Sequence, residues 1–214
     1  NENLDVAEKL EIPEEFFNCL TEVYKNLHLD LSDLEYWNKI SDLRENYREK
    51  TKYTISGKES VITRDELKDL IEKMISKIDL GIEKVKSLND GKIPTFIHYD
   101  ITKFENDVNK GIVPLEFKIK FLPSFLEGPT RYLKTNLTHE EKVKLYEEIK
   151  ESNIYDKKLK MYKTSESLEN EGFEIGRARG FTAGWLERES VFMHMEFKYI
   201  LELIKNGLYD QFFE

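Results

Sequence analysis

Glu189 and Glu196 are two carboxylates in the most aromatic stretch of the chain, with Trp185 ahead of them and Phe192 between. A helix is predicted from Thr182 or Ala183 to Asn206, with Gly207 as its stop. At 100° per residue, Trp185, Glu189, Phe192, Met193, Glu196, Tyr199, Ile200 and Leu203 then fall within an arc of about 120°. Glu187, His194, Lys198 and Lys205 fall on the opposite side. A carboxylate on an apolar face must be paired, protonated or turned to a wet cavity, because burying it alone costs several kcal/mol. Glu189 and Glu196 are therefore candidate catalytic groups for acid–base work, with Trp185 as a wall on which a sugar or other ring stacks. The alternative is that both are structural, held by Arg177, Arg179 or a buried tyrosine.

Further candidates surround this pair. Arg177 and Arg179 lie in the loop GRARG, and Glu187 follows Trp185. Glu127 stands at the helix-breaking Gly128-Pro129, with Arg131 four residues on, a spacing that also makes a simple ion pair. Tyr99 and Asp100 follow His98 in an extended segment and form another possible site element. With four histidines at no metal-type spacing and one cysteine, Cys19, no metal site is expected. GRARG has the spacing of neither a P-loop nor a dinucleotide loop, and there is no Gly-x-Ser-x-Gly elbow.

The elements that must position these residues read as mainly helical. Pro13 opens one helix, with Phe16, Phe17, Leu20, Val23, Tyr24 and Leu27 on one face. Capping boxes at Ser32/Glu35, Thr63/Glu66 and Thr138/Glu141 open three more. The second of these precedes the cleanest apolar stripe, Leu67 to Val85, which ends at the turn Asn89-Asp90-Gly91. A short strand or extended segment is expected over 93–104, and a small hairpin or loop over 52–62. Residues 111–136, with three prolines, read as a long ordered connection with a short helix beside Gly128-Pro129. The fold class expected is all-α, with packed helical hairpins and a short extended element in the middle. One domain, 1–214, is expected, since no flexible linker is visible.

The chain has 214 residues, 39% of them hydrophobic, which is enough for a core. A net charge of −9 makes nucleic acid and anionic membrane poor partners. No run nears the ~18 apolar residues of a membrane span, and residues 1–10 show no leader pattern, so a cytoplasmic location is expected. The beginning at Asn1 and the ending just after an apolar run suggest a piece of a longer protein.

The run Gly184-Trp185-Leu186-Glu187-Arg188-Glu189-Ser190, followed by His194-Met195-Glu196-Phe197-Lys198-Tyr199, resembles a stretch of large bacterial proteins related to cellobiose phosphorylase. The usual pattern there is GWLENES followed by HMEYKY, so Arg188 departs at an asparagine position and Phe197 at a tyrosine position. FLEGPTRYLK at 125–134 and DKKLKMYK at 156–163 are similar to parts of the same proteins. The resemblance implies a fragment of an α/α toroid that binds carbohydrate and cleaves or forms glycosidic bonds, with inverting phosphorolysis favoured. In that chemistry one carboxylic acid protonates the leaving oxygen while inorganic phosphate, the expected co-substrate, attacks the anomeric carbon. Arg177 and Arg179 are then candidates for phosphate. No other cofactor is implied, and the partners are carbohydrate and the remaining domains of the parent protein. A truncated toroid would also expose apolar surface and self-associate. The competing expectation is a non-catalytic helical module that binds a partner or supports a neighbouring domain.

Overall fold

The computed structural model describes residues 8–214; residues 1–7, most of the segment read for a leader, lie outside the described residues. The expected all-α class is overturned. The described residues are mixed, 49% helical and 20% strand, with three two-stranded antiparallel sheets among them. The chain divides between Lys84 and Val85 into two compact units.

In the first unit, strand β1 (Lys9–Pro13) pairs antiparallel with β2 (Glu59–Thr63), placing Leu10 opposite Ile62. The stretch 52–62 thus ends in a strand whose partner comes from the far end of the unit, a pairing that local periodicity does not signal. Helix α1 (Glu14–Asn26) follows Pro13 directly. Helix α2 (Asp33–Thr51) opens on the full Ser32/Glu35 capping box. Helix α3 (Arg64–Leu88) leaves β2 without a loop, and the Thr63 hydroxyl accepts from Glu66 N at 3.3 Å while the Glu66 carboxylate accepts from Thr63 N at 2.8 Å. Of the apolar stripe on α3, Leu70 is buried, whereas Ile75 and Ile78 face solvent.

In the second unit, β3 (Ile97–Asp107) and β4 (Gly111–Phe121) form a long hairpin where a short strand and a connection were expected. Its turn is closed by the Asp107 carboxylate, which accepts from Asn109 N at 2.8 Å and Lys110 N at 2.9 Å. Pro114 does not break β4, because each strand of a two-stranded ribbon has a free edge where the missing N–H is not needed. Then come α4 (Glu127–Tyr132) and α5 (His139–Glu151, capped by Thr138/Glu141). The two-residue strands β5 (Tyr155–Asp156) and β6 (Met161–Tyr162) pair with each other. A 3-10 turn (Phe173–Ile175) and the single-turn α6 (Arg177–Gly180) precede α7 (Met193–Lys205) and α8 (Tyr209–Phe213). The core gathers Leu126, Ile154, Tyr199, Leu203 and Leu208, none more than 1% exposed.

The terminal helix begins at Met193, not at Thr182 or Ala183. Upstream, Gly184 (φ 85°), Leu186 (φ 48°) and Glu189 (φ 55°) are left-handed, which no α-helix accommodates. The predicted face is therefore split: Glu196, Tyr199, Ile200 and Leu203 ride on α7, while Trp185, Glu189 and Phe192 precede it. No helix among the described residues is long and apolar enough to cross a membrane.

Candidate functional site

Two parts of the second unit gather functional side chains. The first is the loop between α6 and α7, built on Arg188. Its guanidinium is buried and donates to the carbonyls of Phe181 (2.9 Å) and Arg179 (3.1 Å), as well as to the Glu169 carboxylate. Nε lies 3.4 Å from Glu189 Oε1. The Glu189 backbone N–H donates to Ser165 Oγ at 3.1 Å, which fixes the left-handed turn from the other side. Glu189 is thus an arginine-held group on a loop.

Glu196 stays on α7 but points inward, and its Oε1 accepts from Tyr162 N at 2.8 Å. It supplies the acceptor for a backbone donor that the two-residue strand β6 leaves over. Glu196→Ala should therefore cost about 1–3 kcal/mol in denaturant unfolding, because it orphans a buried N–H. Glu196→Gln keeps an acceptor and should recover most of that. Equal losses in the two variants would show that the charge, not the acceptor, is what the fold uses.

Both phosphate candidates are engaged. Arg177 meets Glu187 in a two-pronged ion pair of 2.9 and 2.5 Å on the surface. Arg179 donates to the carbonyls of Glu171 and Glu169, both at 2.9 Å, and its guanidinium lies over the Phe173 ring. Trp185 is 59% exposed at the tip of the loop, backed edge-on by Phe181 at 5.5 Å, and presents an open aromatic face. Glu127 and Arg131 form the i,i+4 pair, at 2.9 Å, exposed on α4. Tyr99 packs on Phe117 in the hairpin, and Asp100 stands opposite Lys118. Beside them lies a cluster that residue spacing did not reveal: the buried Glu171 carboxylate is 2.9 Å from Lys120 and 3.9 Å from His98 Nε2. That contact, with Asp100 and Glu174 adding to it, holds the Lys120 ammonium above its ordinary pKa.

The second part is a cleft of about 570 Å³. Its walls come from the turn 89–95, the end of β4, α4, the last turn of α5 and the bend 166–167. Phe121, Tyr132, Pro94, Pro123 and Pro129 supply its apolar lining, and Glu148, Asn153 and Glu166 bring polar groups into it. Thr95 ties one wall to the next: its hydroxyl accepts from Phe125 N at 3.0 Å and lies 3.2 Å from Phe125 O. Gly128 lets α4 approach, since a Cβ there would stand 2.5 Å from Thr95 Oγ1 and 3.2 Å from Thr95 Cα. Glu166 is oriented by Ser124, whose N–H donates to its Oε2 at 3.0 Å. Glu148 is freer; its ion-pair neighbour Lys144 is 3.9 Å away. An aromatic ring beside carboxylates and an amide suits a ligand with apolar C–H faces and many hydroxyls.

None of the residues singled out from the sequence lines this cleft, although the segment 125–134 carries Gly128, Pro129 and Tyr132 into it. The cleft draws on five separate stretches, so no single motif announces it. Among the described residues no group of three metal-ligating side chains is present. No protein-family model matches the chain, and no curated protein matches it.

Proposed function

We propose that the second unit is the carbohydrate-binding part of an enzyme that cleaves or forms glycosidic bonds, with the cleft as its sugar site. The observation that carries this reading is the cleft itself, in which Tyr132 stands with two carboxylates, Glu148 and Glu166. It gains support from the resemblance to proteins related to cellobiose phosphorylase, because the segment 125–134 forms one wall of the cleft. Glu148, whose carboxylate lines the cleft, is the proposed general acid. Glu166, oriented by Ser124, is the proposed hydroxyl acceptor, and Lys92 on the rim is the proposed contact for inorganic phosphate. Trp185 offers an outer platform for a longer chain of sugars. The missing catalytic parts would come from other domains of a parent protein, in the cytoplasm.

A second reading, a non-catalytic support module, is favoured by one observation. Glu196 is bound to backbone and Glu189 lies against Arg188, so the pair expected to do chemistry is engaged in holding the fold.

Thermal unfolding with glucose, glucose 1-phosphate and inorganic phosphate separates the two. A ligand at 100 times its Kd adds ~2.7 kcal/mol, a rise of roughly 5–10 °C for a chain of this size. The sugar-dependent rise should vanish in Glu148→Gln and persist in Glu189→Gln. A rise that survives Glu148→Gln but disappears in Trp185→Ala would move the site to the loop. No rise with any ligand would favour the support module.

A further inference from the structure

Helix α7 carries an apolar stripe that nothing in its own unit covers. Met193, Phe197, Leu201 and Ile204 are 62, 59, 46 and 37% exposed. At 100° per residue they fall within an arc of about 80°. His194, Lys198 and Lys205 line one edge of the stripe, all exposed, whereas the two carboxylates of the helix, Glu196 and Glu202, are turned inward and buried. Lys205 is held only loosely, 3.6 Å from Glu202. The open face is thus apolar with an edge whose charges, on Lys198 and Lys205, are both positive, on a chain whose net charge is −9. It asks for an occupant with apolar side chains beside a row of carboxylates.

The chain itself carries such a surface. On α3, Glu72, Asp79 and Glu83 form a row, with Ile75 (48% exposed) and Leu80 (58% exposed) on either side of it around a shallow depression. The spacings decide the orientation. His194, Lys198 and Lys205 are separated by four and then seven residues; Glu83, Asp79 and Glu72, read backwards, are separated by four and then seven. These steps are about 6 Å and about 10.5 Å along a helix axis. An antiparallel approach therefore sets Asp79 against Lys198 and Glu72 against Lys205, with Glu83 near His194.

We propose that α7 of one copy docks antiparallel on α3 of a second copy, with the Lys198–Asp79 and Lys205–Glu72 pairs fixing the register. Two α7 faces would not pair with each other, because their cationic edges would be crowded together. The contact is heterologous, so it propagates into a ring or an open chain of copies. One helix pair buries less than the ~1,200 Å² typical of stable complexes, which places the association in the weak, transient class.

Sedimentation equilibrium of the full chain at low ionic strength tests this. The average mass should rise with protein concentration, and the rise should shrink as salt shortens the screening length from ~10 Å at 0.1 M to ~3 Å at 1 M. Lys198→Glu and Asp79→Lys, both exposed substitutions, should each return the chain to monomer without changing its thermal midpoint. The double variant restores the pair in reversed sense and should associate like the original. Phe197→Ser should also abolish association. A chain that stays monomeric at every concentration, single variants that associate like the original, or a double variant that stays monomeric would each overturn the proposal.

Discussion

Between pH 10 and pH 12 the second unit should lose stability steeply and unfold. Tyr146, Tyr162 and Tyr199 are buried together, with Tyr162 and Tyr199 ring centroids 4.9 Å apart. Burial is the main cause that pushes the Tyr146 phenol up from 10.0 to about 12, and the Glu214 carboxylate on its hydroxyl adds to it. Burial likewise drives Tyr162 and Tyr199 well above the ordinary value, and neighbouring phenols add to both. The sign follows from proton counting. Above pH ~10 the unfolded chain sheds these protons while the folded chain keeps them, so stability is full below that pH and falls as pH rises through the folded values. Each retained proton removes ~1.4 kcal/mol per pH unit, and three together remove ~4 kcal/mol per unit, against a total of ~5–15 kcal/mol for a domain. Lys150, raised by its contact with Glu214, loses its proton late in the same direction and steepens the fall. Denaturant unfolding followed by circular dichroism and tyrosinate absorbance from pH 8 upward checks this. Tyr199→Phe should flatten the slope by about a third, and at neutral pH it should be neutral or stabilising, since the Tyr199 hydroxyl is buried without a hydrogen-bond partner. A slope that Tyr199→Phe leaves unchanged would mean that the phenols ionise only after unfolding has begun elsewhere.

What the sequence disclosed and what it hid divide along the range of the interactions. The three capping boxes lie within four consecutive residues, and each is present as read. The pairing of 9–13 with 59–63 joins segments about fifty residues apart, and neither has an alternation strong enough to declare a partner. The hairpin β3–β4 was half legible: 93–104 read as extended, but the prolines of 111–136 hid β4, because a proline at the free edge of a ribbon costs little. The start of α7 was illegible for a different reason. Leu186 and Glu189 adopt left-handed backbone that their residue types disfavour, and contacts hold them there rather than a local preference: the Trp185–Arg188 turn around Leu186, and Ser165 with the Arg188 guanidinium around Glu189. The apolar periodicity from Trp185 to Leu203 persists across that break, so a helical projection places on one face residues that the fold separates. Part of the cleft was within reach, through the segment 125–134; its carboxylates were not, since Glu148 and Glu166 look in sequence like ordinary surface glutamates.

Arg188→Ala should be the most damaging single substitution in the loop, costing about 1–3 kcal/mol, the range for leaving buried polar groups without their partner. The arginine is 5% exposed and serves four groups at once: the carbonyls of Arg179 and Phe181 and the carboxylates of Glu169 and Glu189. Removing it takes the donor from two carbonyls and the paired cation from Glu189, and leaves Glu169 with only the longer contact of 3.7 Å to Arg179. It also releases the left-handed turns at Leu186 and Glu189, whose strain of ~1–3 kcal/mol each persists only while the surroundings over-determine them. The loop should then open as a unit, seen as lost amide hydrogen-exchange protection over 179–190, with the thermal midpoint falling by roughly 2–12 °C at ~2–4 °C per kcal/mol. Arg188→Lys should rescue only part of this, because a single ammonium cannot span four acceptors in the plane that a guanidinium covers. Arg188→Asn is the sharper comparison, since asparagine keeps a planar hydrogen-bond donor and removes the charge. Its amide cannot replace the cation facing Glu169 and Glu189, so the loop should open nearly as far as in the alanine variant. A stable, protected loop in Arg188→Asn would mean that the backbone turns stand without the guanidinium, and that Arg188 fills a site that other contacts have already shaped.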